Sequence, residues 1–344
     1  MISASIIVPC LNEEATIYLL LEAIQKQTFP HDRMEVIIAD GLSTDNTRQE
    51  ITRFRTQYPD LSVRVVDNAR RIIPSALNRA IEAASGEFVI RLDAHCMPYP
   101  DYIERCIRAL EAGQGDNVGG IWEIHPGASH NHPPTRIAAG IAAATAHPLG
   151  VGDALYRFAE QAQSVDTVPF GSFRRELVSR IGAFDETLLT NEDYEFNLRL
   201  RQAGGTIWLD PAIRSVYFAR RTLGGLIRQY WRYGYWKGRM LLNHPKSLRW
   251  RQALPPVFVV SLVFFVSLSL FWEVARWLLI LQIGAYSLAL LAVGIQVALG
   301  QRTISLMFTT PLAIASMHLT YGAGMLFSFF QAAWQSFQTE KSIS

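Results

Sequence analysis

Up to Leu92, apolar and polar positions alternate in blocks. Ala4–Val8 (ASIIV) is a β-branched run closed by Pro9. Asn12 is placed to cap a helix, with Glu13 and Glu14 in its first turn and Leu20, Leu21 and Ile24 at helical spacing. Glu35–Ala39 (EVIIA) predicts a second strand, ended by Asp40-Gly41. Thr44-Asp45 opens a helix through Ile51 and Phe54. Leu61–Val66 predicts a third strand, Pro74–Ala84 a third helix, and Phe88–Leu92 a fourth strand followed by Asp93. Strand and helix alternate at βαβ spacing, which predicts a parallel, doubly wound α/β sheet. Such sheets bind ligands beyond the carboxyl ends of their strands. Pro9–Asn12, Asp40–Asp45 and Asp93–His95 all fall there, so the three stretches are expected to meet in space.

The pattern changes in the last third. From Ala253 to Phe337 the charged residues are Glu273, Arg276 and Arg302 alone. Pro256–Trp272, Trp277–Leu299 and Ile304–Phe330 are uncharged runs that read as membrane spans, since a crossing helix needs roughly 20 apolar residues. Trp272, Trp277 and Trp334 lie near span ends, where amphipathic rings settle. The alternative is a buried helical core. Between Ala219 and Gln252 stand nine Lys or Arg and no acid. This basic neck predicts a cytosolic side before the first span and an outside C-terminus after three. Ile6–Val8 is too short an apolar run for a secretion signal. The expected division is a body at 1–218, a basic and aromatic interfacial stretch at 219–252, three spans within 253–337, and a tail at 338–344.

Composition changes little in this picture. The 344 residues carry a net charge of +2, so charge distribution matters more than its sum. Three cysteines, Cys10, Cys96 and Cys106, give no disulfide framework and fit reduced thiols. The chain has no GxxxxGKS/T loop and no GxGxxG after a strand, and its first turn, PCLNEE, is acidic. That excludes P-loop nucleotidases and dinucleotide oxidoreductases. His125, His130, His132 and His147 have no zinc-ligand spacing. Pro126, Gly127, Pro133 and Pro134 break regular structure there, which predicts a flexible acceptor loop. The small-residue run at 138–146 (AAGIAAATA) is expected to lie beside the membrane.

RLDAHC (91–96) is open to three readings: a metal or phosphate site at Asp93 and His95, a nucleophile at Cys96, or a plain turn. Asp93 offers a hard oxygen and His95 a nitrogen, while no acyl-transfer constellation surrounds Cys96. Asp40 stands in an Asp-Gly turn signal, and Asp45 suits a helix cap better than a ligand. Arg71 sits in an arginine-rich stretch with Arg70 and Arg79 that also suits a solvated face. Asp193 suits a helix first turn as well as a general base.

In order along residues 3–240, SIIVPCLNEE, VIIADGLSTDNT, ALNRAIEAASGEFVIRLDAHC, GAFDETLLTNEDYEFNLRLRQAG and QYWRYGYWK resemble family 2 glycosyltransferases of the GT-A fold. The DAH triplet, where others carry DxD, resembles the ExoA-like enzymes of exopolysaccharide (succinoglycan-type) assembly. The resemblance implies a GT-A nucleotide-diphospho-sugar domain followed by a helical membrane domain. It implies an inverting hexosyltransferase that moves a hexose, glucose by the same resemblance, from a UDP-sugar to a polyprenyl-diphosphate-linked saccharide. It places the body in the cytosol at a multi-pass inner (plasma) membrane, with other polysaccharide-assembly proteins as partners and no nucleic acid.

Residue by residue, the resemblance sets Pro9, Glu13, Asp40 and Arg71 around the nucleotide. Asp93 and His95 stand at the Mn²⁺ or Mg²⁺ position, and Asp193 stands as the base. Gln229 and Arg232 stand at the start of a QxxRW element near acceptor and pyrophosphate. That element departs from its pattern, since Tyr233 follows Arg232. Alternatives are a processive polysaccharide synthase, a polyprenyl-phosphate glycosyltransferase, and a non-catalytic nucleotide-sugar-binding subunit of an export complex.

Overall fold

The computed structural model describes residues 2–127 and 133–343, with side chains described through Gln338. Its strands are β1 (Ala4–Cys10), β2 (Met34–Asp40), β3 (Ser62–Asp67), β4 (Phe88–Arg91), β5 (Met97–Pro98), β6 (Asn117–His125), β7 (Gln163–Ser164), β8 (Ser172–Arg174) and β9 (Ile207–Phe218). Its helices are α1 (Ile17–Gln25), α2 (Thr47–Gln57), α3 (Ile73–Ala83), α4 (Tyr102–Glu111), α5 (Arg136–Ala146), α6 (Pro148–Val151), α7 (Leu177–Ile181), α8 (Glu192–Gln202), α9 (Leu223–Asn243), α10 (Trp250–Ser269), α11 (Glu273–Gly300) and α12 (Leu306–Ile343). Two compact units form: Met1–Glu123 with Ala154–Tyr217, and Ile124–Asp153 with Phe218–Ser344. Residues 124–153 therefore belong to the helical unit, although the sequence division ran them into the body.

The first unit is built on one sheet of order β3-β2-β1-β4-β8-β6-β9-β5, with β7 paired to β9. β3, β2, β1 and β4 are parallel, as the βαβ spacing predicts. The second half departs from the fully parallel expectation: β8 runs antiparallel to β4 and β6, and β5 and β7 run antiparallel to β9. β5, β7 and β8 are two to three residues long and β6 carries Gly119 and Gly120, so these show no periodicity to read, while β9 is long but interrupted by Asp210-Pro211. Alternation along β1 sends Ile6 and Val8 to one face and Ile7 to the other. Ile6 and Val8 pack with Leu20, Leu21, Phe54 and Ile103. Ile7 packs with Leu77, Phe173, Phe196 and Leu200. Helices thus cover both faces, and β1, β2 and β4 are buried almost throughout, while the edge strand β3 buries Val63 and exposes Ser62, Arg64 and Asp67.

Asn12 does not cap α1, whose first residue is Ile17. It adopts φ 55° and reaches across instead: its N–H donates to Ser43 Oγ (2.8 Å) and its Oδ1 accepts from Thr44 N (2.9 Å). The second turn competes for Asn12 better than the helix does. Asp45 does hold the start of α2, accepting from Thr47 N at 3.1 Å and Thr47 Oγ1 at 2.6 Å. Cys10, Cys96 and Cys106 are free and buried.

In the second unit, Trp250–Ser269, Glu273–Gly300 and Leu306–Gln338 are long and apolar enough to cross a membrane. The first turn between them falls at 270–272, three residues before the expected loop. Glu273 then opens α11 near its positive end, and Arg276 Nε caps the preceding helix at Ser269 O (2.8 Å). Small residues let these helices touch backbone to backbone. A Cβ on Gly234 would lie 2.0 Å from Tyr321 O, and one on Gly324 2.5 Å from Trp231 O, so α9 lies flush on α12. The run at 138–146 forms α5, buried at Ile141 and Ala144, with Gly140 against Thr309 of α12. His147 accepts from Leu149 N (3.1 Å) to start α6. His130 and His132 lie outside the described residues.

Gly120 of β6 faces the β9 backbone so closely that a Cβ would fall 1.7 Å from Ile213 O. Gly120→Ala is therefore expected to cost about 3 kcal/mol by forcing two backbones apart. Thermal melts check this; a wild-type midpoint would remove the close-approach account.

Candidate active site

The site is assembled where β1, β2 and β4 end. Gly41 N donates to Cys10 O (2.8 Å), joining the turn after β1 to the turn after β2. Glu13 N donates to Thr47 Oγ1 (2.8 Å), and Glu14 N to Asp45 Oδ2 (3.2 Å). The third turn joins through His95, whose Nδ1 meets Glu13 Oε1 at 3.2 Å. Glu13 Oε2 accepts from Thr16 Oγ1 (2.6 Å). The three stretches expected to converge do so.

Asp40 is fully buried. Its Oδ2 accepts from Arg48 Nε (2.6 Å), and its Oδ1 from Ser43 Oγ. The same guanidinium reaches Asp67 through Nη2. Asp40 thus fixes the turn after β2 through Ser43 and Arg48, two partners that sequence reasoning did not name. Pro9 is half-buried beside it, paired in register with Ala39. Arg71 is exposed at φ 56°, its N–H on Asn68 O (3.1 Å), and Asn68 N in turn on Asp40 O (2.8 Å). Its Cα lies 3.5 Å from where a Gly41 Cβ would stand. Arg71 therefore belongs to the same cluster as Pro9, Glu13 and Asp40.

Asp93 and Glu192, the neighbour of Asp193, are joined by a residue the sequence reading passed over. Arg91, the last residue of β4, is 4% exposed. Its Nε donates to Asp93 Oδ1 and its Nη2 to Glu192 Oε1, both at 3.0 Å. Glu192 and Asp193 open α8 after Asn191, which turns the chain at φ 69°. Asp193 Oδ1 accepts from Tyr194 N at 2.7 Å. Asp193 keeps part of its surface open while protein crowds its other sides. The signal for Arg91 was a charged residue ending an otherwise apolar strand, FVIR.

Electrostatics follow from three carboxylates sharing one cation. Burial pulls the Arg91 guanidinium down, and Asp93, Glu192 and Asp193 more than offset this, so it is held firmly charged. Burial pushes Glu192 up to about 7, Arg91 opposing and Asp193 reinforcing. Burial also raises Asp193, against the pull of Arg91. Burial raises the Cys96 and Cys10 thiols, which removes the nucleophile reading of RLDAHC.

Among the described residues no three His, Cys, Asp or Glu side chains gather as metal ligands. The donors present fit an ion shared with substrate phosphates rather than an all-protein cage. Asp93 Oδ2 accepts no hydrogen bond from a described residue. His95 Nδ1 lies 3.2 Å from Glu13 Oε1, so a carboxylate orients the imidazole, as carboxylates do for metal-binding histidines. Gln229 and Arg232 lie on α9 in the helical unit. Gln229 Oε1 accepts from Arg220 Nε (3.2 Å), its Nε2 donates to Tyr233 OH (2.8 Å), and Arg232 is exposed.

The model of "Glycosyl transferase family 2" matches residues 5–182. Succinoglycan biosynthesis protein ExoA of Rhizobium meliloti (strain 1021) is 32% identical over 328 residues, 94% of this chain and 93% of the relative. A dolichyl N-acetyl-alpha-D-glucosaminyl phosphate 3-beta-D-2,3-diacetamido-2,3-dideoxy-beta-D-glucuronosyltransferase of Methanococcus voltae is 28% identical over 271 residues, 78% of this chain and 83% of the relative. Among solved structures, the mannosyltransferase PcManGT from Pyrobaculum calidifontis, in complex with GDP-Man and Mn²⁺, has a TM-score of 0.57 at 21% identity. That match covers 92% of this chain and 86% of that one, and it shows that the fold is of the GT-A type.

Glu192 links this site to pH. Its value is about 7 when folded and 4.5 in the ordinary state. The folded chain therefore binds this proton more tightly than the unfolded chain. The stability so gained is fully present below the ordinary value and is lost as pH rises through the folded one. The thermal midpoint is expected to fall between about pH 5 and 7, and Glu192→Gln to flatten that slope. Equal slopes in melts of the two proteins would contradict the assignment.

Proposed function

Because the chain belongs to glycosyl transferase family 2, we propose that it moves one hexose from a UDP-sugar to a polyprenyl-diphosphate-linked saccharide, inverting the anomeric centre, in exopolysaccharide or other cell-surface glycan assembly. The observation that carries this reading is the convergence of four turns, at Cys10–Glu13, Asp40–Thr47, Asp93–His95 and Asn191–Asp193, linked by Glu13–His95 and by Arg91. Glucose is the donor sugar by resemblance to the ExoA-type relative. A lipid-linked acceptor is supported by the relative whose name carries a dolichyl phosphate.

In this reading Pro9, Glu13, Asp40 and Arg71 border the nucleotide. Asp93 and His95 would hold a divalent cation, Mn²⁺ or Mg²⁺, which offsets diphosphate charge when bound. Asp193 takes the proton of the acceptor hydroxyl as that oxygen attacks the anomeric carbon and the nucleoside diphosphate departs from the opposite face. A raised carboxylate is better suited to this than an ordinary one, because it accepts the proton more readily near neutral pH. Gln229 and Arg232 act toward the acceptor's pyrophosphate, with the forked guanidinium matching phosphate oxygens. Residues 1–218, less the 124–153 segment, form the cytosolic catalytic body; 219–252 lie at the interface, and 253–337 cross the inner membrane three times, with 338–344 as a tail.

Asp193→Asn is expected to lower transfer ~10²–10⁴-fold with UDP affinity unchanged. The measurement is UDP release and product formation in nanodiscs with lipid extract, screened over UDP-hexoses. Full turnover by the variant would remove Asp193 as base and favour the non-catalytic reading. In the same assay a chelator is expected to abolish transfer, and Mn²⁺ or Mg²⁺ to restore it; transfer unaffected by chelation would remove the cation from Asp93 and His95.

A further inference from the structure

β4 explains why an arginine lies in the middle of this molecule. Val89 and Arg91 point to the same sheet face, two residues apart. Val89 packs in the cluster that contains Phe196 and Leu200 of α8. Arg91, one pleat further on, arrives at the first turn of the same helix and meets Glu192. The partially positive end of α8 is a poor neighbour for a buried cation, so the guanidinium's presence there needs the acids that surround it.

Three features separate Arg91 from an arginine that merely stabilises. It divides its donors, Nε to Asp93 and Nη2 to Glu192, rather than gripping one carboxylate with both. Those two acids lie on opposite sides of the chemistry proposed above: Asp93 on the donor's diphosphate side, Glu192 next to the base. Its Nη1 is buried and has no hydrogen-bond partner among the described residues. An orphaned buried donor is destabilising, because its desolvation is not repaid. Stability alone would not favour such a placement.

We propose that Arg91 is a positioning residue for transfer: its planar guanidinium locks the carboxylate of Asp93 to the Glu192–Asp193 turn, so that the donor diphosphate and the base are held at one separation. The proposal rests on the function proposed above. It follows that lysine cannot replace arginine here. A lysine ammonium keeps the charge, but its single point of attachment cannot hold two carboxylates along two fixed directions. Loss of the lock leaves each acid in place on its own element while the distance between them varies. That loss falls on turnover rather than on binding, since a small misplacement of reacting groups slows chemistry more than it weakens ground-state contacts.

The test uses the full chain in nanodiscs, with Arg91→Lys, Glu192→Gln and Asp193→Asn compared. Arg91→Lys is expected to lose about 100-fold in kcat, with the KM for the UDP-sugar and the affinity for UDP each within about threefold and the thermal midpoint close to wild type. Glu192→Gln, which keeps the shape and weakens the contact, is expected to lose about tenfold in kcat, again without change in UDP affinity. A merely structural arginine would move the thermal midpoint and leave kcat per folded molecule intact. If Arg91→Lys turns over at the wild-type rate while Asp193→Asn is dead, the lock is refuted and the proposed reaction stands. If Asp193→Asn itself turns over normally, the proposed base is what has failed. Should Arg91→Lys not fold, Glu192→Gln decides alone, and an unchanged kcat there overturns the lock.

Discussion

Negative charge crowded at the ends of β2, β3 and β4 and at the start of α8 is the constraint the first unit is built around. Asp40, Asp67, Asp93, Glu192 and Asp193 stand there, beside a region proposed to receive a diphosphate, itself an anion. Two arginines, the exposed Arg48 and the buried Arg91, make this tolerable. Arg48 is shared by Asp40 and Asp67, and Arg91 by Asp93 and Glu192 with Asp193 nearby. Both use the fork of the guanidinium to serve two acids at once, which an ammonium cannot do. The balance is left incomplete around Arg91, where three carboxylates meet one cation. That shortfall is why burial succeeds in raising Glu192 and Asp193.

The turns that carry these groups are held in costly backbone conformations. Asn12, Leu42, Arg71 and Asn191 all have positive φ, between 55° and 69°. Each such residue costs of order 1–3 kcal/mol unless its surroundings over-determine it. Here they do: Asn12 is tied at both ends to Ser43 and Thr44, and the Arg71 N–H is fixed on Asn68. Asn191 is followed at once by the buried Glu192.

The sequence made the parallel half of the sheet legible because β-branched runs recur there between amphipathic helices. It made the meeting of three turns legible because strand ends in such sheets face one way. The antiparallel half stayed hidden: β5, β7 and β8 are two or three residues long, and β6 contains Gly119 and Gly120, which carry no hydrophobic pattern. Arg91 stayed hidden for a different reason. A single charge at a strand end reads as a solvated boundary, and only the tertiary position of Glu192, about a hundred residues later, reveals it as buried. Asp193 was reached by resemblance and not by pattern, since an acid in a helix first turn has a sufficient local reason to be there.

The helical unit obeys a related rule with apolar means. Several of its polar groups pair with one another: Tyr286 OH meets His318 Nδ1 at 2.9 Å, the other ring nitrogen of His318 meets Leu149 O at 2.9 Å, and Gln282 Nε2 donates to Ser261 Oγ at 2.8 Å. Its helices approach where glycines remove side-chain bulk: Gly140 in α5, Gly234 and Gly238 in α9, Gly294 in α11. Such close contact gains van der Waals packing between backbones that a larger side chain would hold apart. This accounts for the composition of 138–146. Alanine and glycine there let α5 seat on α12, and since residues 124–153 fold with the helices, that small-residue run is best understood as part of the packing of the apolar unit, although the chain reaches it directly from β6 of the sheet.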